Sequence, residues 1–259
     1  TTTVLVPCRN EECNIRAAVE RLPALGAHTE LIFVDGASTD GTRAAILDEI
    51  ERYRGIRDIK LLDQVPGPDS RPDPNSPFAA TTGFVDGRFV AEGLVRPTRL
   101  GDARDGGGPK DAGPVIMLKL GKGDAVRKGF AAASGDVLFI LDADLTVPPE
   151  DLPKFLEPIA AGRAEFVNGT RLVYPLEDEA MGPINLVGNR FFSIVFTWLL
   201  GQPIKDTLCG TKVLRASDYR MLAANRSYFG DFDPFGDFDL LFGAARLGLK
   251  ILEMPVRYR

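Results

Sequence analysis

Val137-Leu138-Phe139-Ile140-Leu141-Asp142-Ala143-Asp144 decides the reading of this chain. Five apolar residues in a row suit a strand buried on both faces, as in a parallel sheet covered by helices. The run ends in two carboxylates one residue apart. Open α/β sheets bind ligands outside the carboxyl ends of their strands, so Asp142 and Asp144 emerge where a site is expected. Two such acids repel unless a cation or hydrogen-bond donors hold them. A hard divalent cation takes oxygen ligands and bridges to phosphate oxygens, which points to a metal-dependent enzyme acting on a nucleotide or sugar phosphate; taken alone, the two acids read equally well as solvated carboxylates at a strand end.

Outward from this run the chain alternates strand and helix. Val4-Leu5-Val6 is a short strand stopping at Pro7, and a helix runs from about Asn14 to Leu22 with Ile15, Ala18, Val19 and Leu22 on one face. Leu31-Ile32-Phe33-Val34 is a second buried strand ending in Asp35. A small-residue turn, Gly36 to Thr42, then leads into a helix through about Tyr53. Ile59 to Leu62 is a third strand. Beyond Asp144, Pro148 to Asp151 opens a helix, and Glu165 to Gly169 is a strand followed by Thr170-Arg171. Pro183 to Gly201 reads as a strongly apolar helix, Leu240 to Leu247 as a late helix and Lys250 to Val256 as a closing strand. Such alternation means βαβ units: an α/β fold with a mainly parallel central sheet flanked by helices.

The pattern breaks between about Val65 and Pro114, a stretch dense in Pro, Gly, Asp and Arg. It is too long for a connection within a compact domain and reads as an insertion carrying a hairpin around Asp86-Gly87. A lid over the site and a simple spacer are both open for it. The chain, residues 1–259, is thus expected to be a single domain with one insertion.

Composition excludes several functions. With 44% hydrophobic and 26% charged residues the chain suits a globular protein, and a net charge of −5 argues against a nucleic-acid partner. Cys8, Cys13 and Cys209 make neither a disulfide framework nor a zinc spacing, which suits a reducing, cytoplasmic compartment. His28 is the sole histidine and precedes a strand, so hydrolysis by a Ser-His-Asp triad is not expected. No signal peptide or uninterrupted membrane-spanning run is visible. The chain begins without Met and stops at Arg259, as an excised domain would.

Candidate residues gather at four strand ends: Pro7 to Glu11, Asp35 to Asp40, Asp142 to Asp144, and Gly169 to Arg171. Together with Gly121-Lys122-Gly123-Asp124-Ala125, Asp206 to Lys212 and Glu253-Met254-Pro255-Val256, they resemble family 2 glycosyltransferases of the GT-A fold. The later motifs are similar to the branch containing dolichyl-phosphate mannose synthase and bacterial polyprenyl-phosphate glycosyltransferases. The resemblance covers nearly all of the chain except the insertion.

The resemblance implies an inverting transferase that moves a sugar from a UDP- or GDP-linked donor, with Mg²⁺ or Mn²⁺. It assigns the base and ribose to Pro7, Asn10, Glu11 and Asp35, the donor also to Ala143, and phosphate oxygens to Lys122, which sits in a glycine-flanked loop at a helix N-terminus. Asp142 would approach ribose or metal and Asp144 would bind the metal. Asp237 is placed as the acceptor-orienting base, with Asp239 close behind, although N-capping is the plain alternative for both. A polyprenyl phosphate is the favoured acceptor, with Arg171 and Lys212 as candidates to neutralise it. The Phe191 to Leu200 stretch would then lie at the inner face of a membrane, a peripheral contact, or else cover the sheet as a core helix. The paired acids usual after the second strand read Asp35-Gly36 here, so the second carboxylate is missing, and Thr146 stands where the branch commonly has Gln. A sugar-phosphate nucleotidyltransferase is the alternative, disfavoured because Pro7 to Glu11 contains no glycine; a non-catalytic nucleotide-sugar-binding module is another.

Overall fold

A computed structural model of the chain describes residues 1–64, 82–85, 88–91, 121–171, 197, 201–202, 204–206, 209–225 and 237–256. The chain divides into two compact units: Thr1–Val65 with Leu120–Arg259, and Pro66–Lys119. In the smaller, β4 (Thr82–Val85) and β5 (Arg88–Ala91) pair antiparallel around Asp86-Gly87, where the hairpin was expected. The remainder of the 65–114 insertion, and nearly all of the apolar Pro183 to Gly201 stretch, lie outside the described residues.

In the larger unit the elements are β1 (Thr2–Cys8), α1 (Glu12–Glu20), β2 (Thr29–Asp35), α2 (Thr42–Arg52), β3 (Asp58–Asp63), α3 (Lys122–Ala132), β6 (Val137–Ile140), α4 (Leu152–Ala160), β7 (Phe166–Thr170), β8 (Lys212–Arg215), α5 (Ala216–Ala224), α6 (Asp237–Arg246) and β9 (Ile251–Pro255). The strands form one sheet in the order β3-β2-β1-β6-β8-β7-β9. It is mainly parallel, as expected; only β8 runs against both of its neighbours.

Period-two alternation divides the core between the two faces of this sheet. Val4, Val6, Phe33, Phe139, Val167 and Val213 join Ile15 and Val19 of α1, Ile46 of α2, and Phe155 and Ile159 of α4. Their neighbours Leu5, Ile32, Val34, Leu138, Ile140, Phe166 and Leu214 join Val126 and Phe130 of α3, Tyr219 of α5, and Leu241 and Ala244 of α6. Phe33, Phe139, Phe155 and Phe166 are fully buried, each worth about 1.5–3 kcal/mol relative to exposure. Helices therefore cover both faces, and loops are left free at the two sheet edges.

Two boundaries depart from expectation for physical reasons. β1 continues through Pro7 instead of stopping there. Pairing of β1 with β6 ends at Leu5–Ile140, so Pro7, lacking an N–H, costs no ladder bond on that side. Helix α1 starts two residues earlier than its apolar spacing suggested, at Glu12, and Leu22 is buried beyond its end. The strand β8 and helix α5 escape sequence reading altogether. Lys212 and Arg215 bracket a four-residue strand with charge, yet Lys212 is fully buried in the sheet.

Candidate active site

Ends of β1, β2 and β6 and starts of α3 and β8 share one edge of the sheet. Backbone strain marks it. Among the described residues, the non-glycine positions with left-handed φ are Asn10 (58°), Ala37 (56°) and Leu145 (54°), each just past a strand at this edge. Such conformations cost on the order of 1 kcal/mol apiece and gather where a scaffold holds loops for a purpose.

The loops after β1 and β2 are laced together. Ser38 Oγ accepts from the Asn10 N–H (2.9 Å), while Asn10 Oδ1 accepts from the Thr39 N–H (2.8 Å). Glu11 N–H donates to Thr42 Oγ1 (2.8 Å), and Glu11 Oε2 accepts from Asn14 Nδ2 (2.7 Å). Asp35, 3% exposed, accepts from the Ser38 N–H at 3.2 Å. Pro7 is half-buried beside it. Negative charge is concentrated here: burial first, then the Asp35, Glu11 and Asp40 carboxylates, push the Cys8 thiol up to about 12. Burial likewise raises Cys209 to about 11, so neither thiol is a ready nucleophile.

Asp142 and Lys122 meet across the edge, Lys122 Nζ lying 2.6 Å from Asp142 Oδ1. Gly210 closes over them: a Cβ there would overlap Asp142 Oδ2 and sit 2.5 Å from Lys122 Nζ. Only glycine lets the 209–211 loop approach so closely. Asp144 is exposed, and its Oδ1 accepts from the Thr146 N–H (3.1 Å) and Oγ1 (2.9 Å). Ala143 between them is buried. Among the described residues no three His, Cys, Asp or Glu side chains gather as a metal cage. The two strand-end carboxylates still fit a cation that takes its other oxygens from a diphosphate and water, as Mg²⁺ commonly does.

Further along the edge, Arg171 forks onto Asp206, with Nε–Oδ2 at 2.7 Å and Nη2–Oδ1 at 3.0 Å. Asp206 is held from behind by Glu253, whose Oε1 accepts from the Lys205 and Asp206 N–H groups at 2.6 and 3.2 Å. Burial raises the Glu253 carboxyl above its ordinary range. Lys212 is fully buried and donates to the Cys209 carbonyl, so it shapes the loop that carries Gly210. Asn168 Oδ1, Thr170 Oγ1 and Thr211 Oγ1 are buried near here with no hydrogen-bond partner among the described residues. Asp237 opens α6 and Asp239 lies in its first turn; their side chains fall outside the described residues.

Sequence reading thus placed Pro7, Asn10, Glu11, Asp35, Lys122, Asp142 and Asp144 at one edge, and the structure brings them there. It missed Gly210 and also Gln64, a buried residue just after β3 whose Nε2 donates to the Gly121 carbonyl at 2.9 Å. Gly210 lay within a quoted motif, and its glycine was the available signal. Gln64, an uncharged residue beside the insertion, offered none.

The model of glycosyl transferase family 2 matches residues 3–63 and 115–222. An undecaprenyl-phosphate 4-deoxy-4-formamido-L-arabinose transferase of Aeromonas hydrophila is 38% identical over 164 residues, 62% of this chain and 34% of its own. A dolichyl-phosphate hexose transferase of Haloferax volcanii is 30% identical over 162 residues, 59% of this chain and 67% of its own. The chain spans less than half the length of several such relatives. Glucosyl-3-phosphoglycerate synthase from Mycobacterium tuberculosis, solved with Mn²⁺ and UDP, superposes with a TM-score of 0.60 at 18% identity, over 100% of this chain and 71% of that one. The fold is GT-A, and with the family model covering both halves of the described sheet and the strand-end acids in place, the chain belongs to glycosyl transferase family 2.

Proposed function

We propose that this chain carries the catalytic site of an inverting transferase that moves a sugar from a nucleoside-diphosphate sugar to a polyprenyl phosphate. The observation that carries the reading is the Lys122–Asp142 pair under Gly210, flanked by exposed Asp144, on the same edge as buried Asp35. The names of the two curated relatives, both polyprenyl-phosphate sugar transferases, support the acceptor class.

In this reading Asn10, Glu11 and Asp35 accept hydrogen bonds from base and ribose. Ser38 engages one oxygen of Asp35, and a base lacking a matching donor would leave the other without its bond, a penalty of about 1–3 kcal/mol. Lys122, held in place by Asp142, directs its remaining donors to the diphosphate and balances the charge left when the bond from sugar C1 to its phosphate oxygen breaks. A divalent cation, Mg²⁺ or Mn²⁺, would be held by Asp144 with Asp142 and would supply further positive charge to the diphosphate. The acceptor oxygen attacks C1 from the opposite face, oriented by Asp237 at the start of α6, with Asp239 behind it. A lipid phosphate is already ionised at neutral pH, so orientation outweighs proton removal. Arg171, fixed in direction by Asp206, is assigned to that phosphate; Lys212 acts with it by holding the 209–211 loop. Phe191 to Leu200 would give the chain its peripheral contact with the inner membrane face.

Thermal-shift titration with UDP and GDP, each with and without Mn²⁺, tests the donor half, because selective binding stabilises by mass action. Stabilisation by one diphosphate, strengthened by Mn²⁺, is the expected result. No shift with either at millimolar concentration would reject the reading.

A further inference from the structure

We infer that Gln64 is a positioning residue for the donor diphosphate, fixing the Lys122 loop relative to Asp35; the inference rests on the donor site proposed above. Gln64 follows β3 directly and is 8% exposed. Its backbone N–H donates to the Asp35 carbonyl (2.8 Å). Its side-chain Nε2 donates to the Gly121 carbonyl (2.9 Å) and to Asp124 Oδ2 (3.2 Å). Both partners are acceptors, which settles the amide orientation chemically. Gly121 is the residue before Lys122, and Asp124 lies in the first turn of α3. One residue therefore ties the end of β2, where base contacts are expected, to the start of the helix that presents the phosphate cation.

Gly36 completes the argument. A Cβ there would lie 3.1 Å from Gln64 Oε1, tighter than ordinary contact. The missing acid after Asp35 therefore leaves room for the Gln64 amide, which makes a brace instead of a second charge. A separate tie survives without that side chain: Lys128 Nζ donates to the Asp63 carbonyl and reaches the Gln64 carbonyl at 3.4 Å. Replacement of the amide should thus loosen the Lys122 loop without detaching α3.

The test compares wild type, Gln64→Met, Lys122→Met and the double variant in the full chain. Affinities for GDP and UDP come from calorimetry, and for guanosine and uridine from chemical-shift titration. Methionine keeps the volume and removes the donors. For whichever diphosphate wild type prefers, Gln64→Met should bind about tenfold more weakly, while the matching nucleoside changes less than twofold. The double variant should bind no more weakly than Lys122→Met, because Gln64 acts through Lys122. Unchanged diphosphate affinity in Gln64→Met, an equal loss for the nucleoside, or additive losses in the double variant would each overturn the inference. If Lys122→Met weakens binding and Gln64→Met does not, this inference alone fails. If wild type binds no diphosphate, the donor-site reading fails with it.

Discussion

Substituting Gly210 by alanine adds one methyl group at the most crowded point of the site. The new Cβ overlaps Asp142 Oδ2 and lies 2.5 Å from Lys122 Nζ. Ordinary contact needs about 3.5 Å, so the Asp142 carboxylate must retreat by more than an ångström or the loop must lift. Either movement opens the 2.6 Å contact between Lys122 and Asp142, whose side chains are 26% and 30% exposed. With an effective dielectric constant of about 20, opening a pair from 2.6 Å to about 4 Å costs at most about 2 kcal/mol, and partial exposure trims this toward about 1 kcal/mol. A phosphate contact made by Lys122 suffers a comparable displacement. Nucleoside-diphosphate affinity should therefore fall roughly five- to thirtyfold in Gly210→Ala. The atoms met are side-chain ends, not backbone, so the melting temperature should move by no more than about 4 °C. Calorimetric titration beside a thermal melt measures both. Wild-type affinity in the variant would refute the claim that this glycine keeps the pair in place, and a large loss of stability would mean the loop is structural first.

Asp144→Ala should remove the part of nucleoside-diphosphate affinity that depends on Mn²⁺ and leave the fold intact, since alanine offers the cation no oxygen; titration with and without Mn²⁺ checks this. Asp237→Asn should reduce turnover by about 10²–10⁴-fold with donor affinity nearly unchanged, toward the lower end for a lipid phosphate, which has no proton to give up. If that loss instead follows Asp239→Asn, the role passes to the second acid. At the opposite sheet edge, buried Glu30 accepts from the Ser134 N–H (2.9 Å) and pairs with Lys60. Burial works against its charge, but hydrogen bonds from Lys60, Ser134 and Thr3 win and hold its carboxyl below the ordinary range. Glu30→Gln should cost about 2 kcal/mol at pH 7 by urea unfolding. Because the folded pKa is depressed, the carboxylate's contribution is full above its unfolded value near 4.3 and fades as pH falls below it, so the gap between wild type and variant should narrow by pH 3.

The elements whose burial is continuous were legible from the chain. Leu31 to Val34 and Val137 to Leu141 show it, since a strand covered on both faces must be apolar at every position. Asp35, Asp142 and Asp144 were legible for the same reason, as the acids where such runs stop. The short strand β8 was not. It carries Lys212 at its buried start, and a buried ammonium needs polar partners, of which the Cys209 carbonyl is one.

From sequence alone came the α/β class, the parallel core of the sheet, the strand ends that bear chemistry and the family they resemble. Hydrophobic runs and turn residues are local properties, and a one-dimensional reading captures them. Only the tertiary structure decided that β8 runs backward between β6 and β7, that Gly210 thereby closes over Lys122 and Asp142, and that Gln64 braces Asp35 against the start of α3. Those contacts join residues far apart in the chain. Strand order and packing distance set them, and no local pattern encodes either.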